Sequence, residues 1–155
     1  MSELLAGTTV KAGDTPPTVY SLDTTTISNI SNTSYAAGSP EVGVTFVAPT
    51  TGRVLVTVGG GLRNNAANSD RVGLAPQIFE TDSSGTEILA PTVFRGVASE
   101  GIATAGDFAY RGRTTMVEDL TPGQQYYARV MYIKFGSAGS TPDISARDIL
   151  VAPAT

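Results

Sequence analysis

The chain has no cysteine, no histidine and no tryptophan among its 155 residues. Without cysteine there is neither a disulfide framework nor a thiolate metal site. Without histidine the commonest general base and zinc ligand is missing. Lysine is nearly absent as well, only Lys11 and Lys134, so the remaining cations are arginines. Charged residues make up 15% of the chain, against about 25% in an average soluble domain. At a net charge of −4 nothing offers the basic stripe that phosphate neutralisation needs, which argues against nucleic acid as a partner. No segment approaches the roughly 20 apolar residues of a membrane helix. The opening MSELLAGTTV lacks the basic-then-apolar pattern of a secretory signal. These absences predict a protein made and kept soluble, with no membrane partner.

Glycine and proline are abundant, 26 residues together, and they punctuate the sequence unevenly. Residues 1 to about 40 hold 14 Ser and Thr but only four charges. Thr15-Pro16-Pro17-Thr18 favours an extended path. Apolar residues there, among them Leu4, Leu5, Val10, Val19 and Tyr20, follow no sustained period. Disordered tails carry few such anchors. The expectation is therefore an extended N-terminal arm over residues 1–40, ordered on a neighbouring surface, followed by one folded domain over 41–155.

From Glu41 onward strand follows strand. The expected set is 42–47, 53–58, 72–80, 87–89, 91–95, 108–117, 125–135 and 145–151, with no helix. Gly59-Gly60-Gly61 is expected to end or bulge its strand, and Pro76 to mark an edge or bulge. About eight strands with a turn every eight to twelve residues predict an all-β fold, an antiparallel sandwich or barrel.

Catalytic chemistry finds little purchase. Glu118 and Asp119 are adjacent, so on a strand they face opposite ways and cannot flank one substrate. The oxygen-rich loop 64–70 has one carboxylate and no EF-hand spacing, and reads as a hairpin loop. Gly59–Gly61 lacks the lysine and helix of a phosphate loop. Arg111, Arg113 and Arg129 read as ion-pairing residues. The expectation is a protein that is not an enzyme and carries no cofactor or metal.

The strongest signal is LTPGQQYYARVMYIKF, residues 120–135. Leu120, Pro122, Gly123 and Tyr126 have the spacing of a tyrosine corner, in which a tyrosine hydrogen-bonds back to the turn before its strand. Tyr126, Ala128, Val130 and Tyr132 then point inward. Tyr127, Arg129, Met131, Ile133 and Phe135 fall on the opposite face, which is apolar too. A solvated face should be polar, and exposing this one would leave a patch of several hundred Å². The five residues are therefore the expected subunit interface, with docking of the arm on that face as the rival.

Two resemblances attach to these motifs. LTPGQQYYARV resembles the turn and strand of fibronectin type III modules over about 25 residues, without that family's early tryptophan. The segments SPEVGVTFVAPTTGRVLVTVGGGLRN, DRVGLAPQIFE, GRTTMVEDLTPGQQYYARVMY and SARDILVAPAT, with AGTTVKAGDTPP and ISNISNTSYAAGSPEVG before them, resemble small β-sandwich virion proteins of actinobacterial phages. That likeness covers most of the chain. It implies a jelly-roll β-sandwich of the trimeric, tumour-necrosis-factor type. It also implies a virion protein made in the bacterial host cytoplasm and carried on the outer surface of the particle. The expected partners are the chain itself, as a homotrimer, and the major capsid protein, which the protein would decorate through an arm bearing Leu4, Leu5, Val10, Pro16, Pro17, Val19 and Tyr20. The alternative is the tip of a head or tail fibre that binds a receptor or host surface glycan, with Arg71, Arg95 or Tyr110 contributing.

Overall fold

A computed structural model describes residues 15–65, 71–99, 107–136 and 141–155. Among them are nine β-strands: β1 (Val19–Asp23), β2 (Gly43–Val47), β3 (Val54–Arg63), β4 (Arg71–Glu80), β5 (Glu87–Leu89), β6 (Val97–Ala98), β7 (Ala109–Val117), β8 (Gln125–Phe135) and β9 (Asp143–Pro153). They form two antiparallel sheets. Sheet A has the order β1-β9-β3-β7, and sheet B the order β2-β8-β4-β5, with β6 also on β4. First pairs with last, second with next to last, and so inward. This nesting is that of a jelly roll, a long antiparallel ribbon rolled into a two-sheet sandwich.

The core is the space between the sheets. Val54, Val56 and Val58 of β3 alternate inward and meet Val44, Phe46, Ile78, Ala128 and Val130 of sheet B. The turn before β8 behaves as its residues predict. Gly123 takes a φ of 79°, and the Thr121 N–H donates to the Tyr126 hydroxyl at 2.9 Å. Tyr126 is 2% exposed and stacks on Phe46 at 5.6 Å. A tyrosine corner thus anchors β8 in the core.

Several expected elements differ. Of the two outcomes expected for the glycine run, the structure shows the bulge and not the end: β3 continues to Arg63 with a register shift between Gly61 and Leu62. Val93–Arg95, expected as a strand, is one turn of 3-10 helix. Pro76 lies inside a paired strand, opposite Val130. The Val130 N–H points to Val42 on the other side. The Pro76 nitrogen therefore faces away from β8, where β4 changes partner from β5 to β6 and needs no donor.

The largest difference lies in residues 15–40, which were expected to be an arm. β1 pairs with β9 along its whole length. Ile27 then bridges to Ile144, Ile30 is 3% exposed in the core, and Ala36 bridges to Tyr132 of β8. The segment between β1 and β2 thus crosses from the edge of one sheet to the edge of the other and closes one side of the sandwich. Residues 1–14, with Leu4, Leu5 and Val10, lie outside the described residues.

Two buried carboxylate–arginine clamps hold that crossing. Arg147 points inward from β9 with its side chain wholly buried. Its guanidinium donates to Asp23 and to the backbone oxygens of Pro40, at 3.1 Å, and Ala37. At the other end Asp143 accepts from the Asn29 N–H at 2.8 Å and from Arg63, which also stacks 4.4 Å over Phe108. Burial would raise the Asp143 pKa, but these hydrogen bonds and the Arg63 charge hold it below the ordinary carboxylate value.

Candidate functional site

The outer face of sheet B carries the five residues expected at a subunit interface. The structure brings Tyr127, Arg129, Met131, Ile133 and Phe135 together in one row along β8, as alternation requires. Register then sets what lies beside them. Gly43 of β2 faces Arg129; Gly73, Ala75, Gln77 and Phe79 of β4 face Ile133, Met131, Arg129 and Tyr127. Because those neighbours include three small residues, the large β8 side chains lie flat across them. Tyr127 occupies the space a Cβ on Gly43 would need, and Phe135 comes within 2.5 Å of where one on Gly73 would sit.

A polar network closes over the rest. Arg129 donates to Gln77 at 2.8 Å and to Glu41 at 2.6 Å, and lies 4.9 Å over the Phe79 ring. Tyr127 donates to Glu41 at 2.6 Å, and Gln77 donates to Glu87. Burial, then the Glu41 hydrogen bond and charge, push the Tyr127 pKa up to about 12. Met131 ends only 6% exposed, while the other four are half-buried. The chain thus covers part of this face with its own side chains.

The outer face of sheet A is different, and sequence reasoning passed over it. Tyr20 and Leu22 project from β1, Leu150 from β9, Leu55 from β3, and Met116 and Tyr110 from β7. Tyr20, Leu22, Met116 and Tyr110 are 56, 52, 49 and 74% exposed. Thr57 and Thr114 share a 2.8 Å hydrogen bond between them. The outward positions at the centre of β3 and β7 are Gly59, Gly61 and Gly112. The one charged side chain among these central positions is Asp148, which lies over Gly59 and whose pKa is raised by burial. The signal lies in the alternation of 54–58 and 109–117, which puts Leu55, Thr57 and Met116 on one face, but the face becomes apolar only where β1 and β9 join it.

The remaining candidates disperse. Pro16 is half-buried and Pro17 exposed, Val19 packs against the core, and Tyr20 stands in solvent. Glu118 pairs with Arg53 at 3.2 Å on the surface, and Asp119 turns away in a left-handed conformation, φ 62°. Arg71 begins β4 in sheet B, Arg95 ends the 3-10 turn, and Tyr110 lies on the outside of sheet A, so these three do not form one site. Arg111 and Arg113 line an open groove with Val93, Gly96 and Val97. Among the described residues no group of three or more Asp or Glu is placed to hold a metal, and no helix is long and apolar enough to cross a membrane.

No family model and no curated protein matches the sequence. Solved structures do match the fold. The VP2 subviral particle of infectious bursal disease virus is similar over 99% of this chain at 14% identity, TM-score 0.50. The structure of the Gt strain of that virus is similar over 89% at 11% identity, TM-score 0.53. The chain spans 37% and 33% of the length of those two proteins. At such identities the likeness concerns the fold, a jelly-roll sandwich.

Proposed function

We propose that the chain is a structural protein of a virus particle, a homotrimer decorating the outer surface of a phage capsid through the major capsid protein. The observation that carries this reading is that nearly the whole chain takes a fold recurring in a protein of a virus-derived particle. The mechanism is mass action. A protein that binds only the assembled lattice stabilises it against disassembly. Residues Leu4, Leu5 and Val10, with Pro16 and Pro17, supply the lattice-binding segment. Val19 leaves that set because the core occupies it.

The test is co-sedimentation with capsid shells lacking the protein. Saturable binding at many copies per shell, lost on deletion of residues 1–14, is the expected result. Absence of binding by the full chain contradicts the reading. A second reading, a glycan-binding fibre tip, is favoured by Phe94, which is 82% exposed on the 3-10 turn beside the groove of Arg111 and Arg113. An exposed ring next to guanidinium donors suits the apolar face and hydroxyls of a sugar. Retention on a glycan array, abolished by Phe94→Ala, with only a few copies per particle, is the outcome that favours it.

A further inference from the structure

We infer that copies of this chain contact one another through the outer face of sheet A, and not through the outer face of β8. The inference rests on the proposal that the chain self-associates, and it names the surface. A sandwich strand should alternate apolar-in and polar-out. On the outer face of sheet A, however, the central positions are apolar, small or hydroxyl-bearing apart from Asp148. Val54, Val56 and Val58 fill the core, while Leu55 and Met116 form a cross-strand pair on the outside and Tyr20 pairs with Leu150. Tyrosine and methionine are enriched at protein interfaces and charged groups depleted from their centres. This face has two tyrosines, a methionine and one carboxylate among its central positions.

The area fits a second copy. The four strands contribute 35 residues. At roughly 16 Å² of sheet per residue, from strand spacing and rise, the face is about 550 Å² in plan. Projecting side chains bring it toward the ~800 Å² per partner of a standard stable interface. The face is also low at its centre: Gly112 is exposed backbone, and Gly59 beside it is covered only by the Asp148 side chain. On the opposite side of the molecule the β8 residues are engaged within the chain, by Glu41, Gln77 and the glycines beneath them.

Light scattering and sedimentation velocity on the full chain at 1–100 µM, with three variants, test this. Leu22→Glu/Met116→Glu places two carboxylates on the sheet A face at positions about half exposed, where folding tolerates them. Ile133→Glu does the same on the β8 face. The third lacks residues 1–14. The expected result is an oligomer in the full chain, whose dissociation constant rises at least a hundredfold in Leu22→Glu/Met116→Glu. Circular dichroism of that variant should be unchanged, and its unfolding should remain cooperative. Ile133→Glu should remain assembled.

Dissociation by Ile133→Glu with Leu22→Glu/Met116→Glu still assembled overturns the inference and leaves the particle role standing. A monomeric full chain that assembles once residues 1–14 are removed also overturns it, because those residues then cover the face. A full chain that is monomeric with and without them, yet coats capsid shells, overturns it too and spares the particle role. A chain that assembles through sheet A but never binds shells has the opposite meaning.

Discussion

Replacing Asp23 by Asn should destabilise the protein by about 3 kcal/mol. Among the described residues the carboxylate of Asp23 is the one anion on Arg147, whose side chain is wholly buried in β9. Its Nε has no hydrogen-bond partner among the described residues. Removing one member of a buried ion pair typically costs about 3–5 kcal/mol, because the other charge is left uncompensated. The lower end applies here: Asp23 is itself 15% exposed, and the carbonyls of Ala37 and Pro40 stay on the guanidinium. For a chain of this length each kcal/mol moves the unfolding midpoint by about 2–4 °C, so the shift should be about 6–12 °C. The assays are thermal and urea unfolding followed by circular dichroism. Asp23→Leu/Arg147→Met, which removes both charges and keeps apolar volume, should recover most of the loss. A single variant within about 0.5 kcal/mol of the parent, or a double variant as unstable as the single, would refute the clamp.

Three further outcomes follow from the same geometry. Tyr126→Phe removes the hydroxyl that accepts from the Thr121 N–H and should cost about 1 kcal/mol with no change in assembly, read by urea midpoint. Asp148→Asn should raise stability at pH 7. Burial raises the Asp148 pKa in the folded state, so its charged form carries a cost that appears as pH climbs above about 3.8 and is absent below it. The gain should therefore vanish in acid, and a constant gain across pH would contradict the assignment. Asp143 has the opposite sign: its depressed pKa stabilises the fold above about pH 3.8, and that stability is lost as pH falls further. Asp143→Asn should lower stability at neutral pH and flatten the acid limb of a pH–stability curve.

The strands legible in the sequence are those whose inward residues are all apolar. β2 and the first half of β3 alternate openly, and the inward side of β8 follows from the tyrosine corner, four residues at fixed spacing. β1 was hidden because its pattern is inverted. Val19, Ser21 and Asp23 turn inward while Tyr20 and Leu22 face out, an arrangement that makes sense only once Arg147, 124 residues away, is known to receive Asp23. The covering of β8 was hidden for a related reason. Gly43 and Gly73 give large side chains room to lie against the sheet, but their positions beneath Tyr127 and Phe135 depend on strand register, which local sequence does not encode. Nested pairing of first strand with last places nearly all such information at long range.

Electron cryomicroscopy of capsid shells incubated with the purified protein tests the central claim most directly. Ordered jelly-roll density on the outer shell surface, in copy numbers that are multiples of three, is the expected result. Shells left bare, or density confined to a few copies at a tail or fibre, would contradict it.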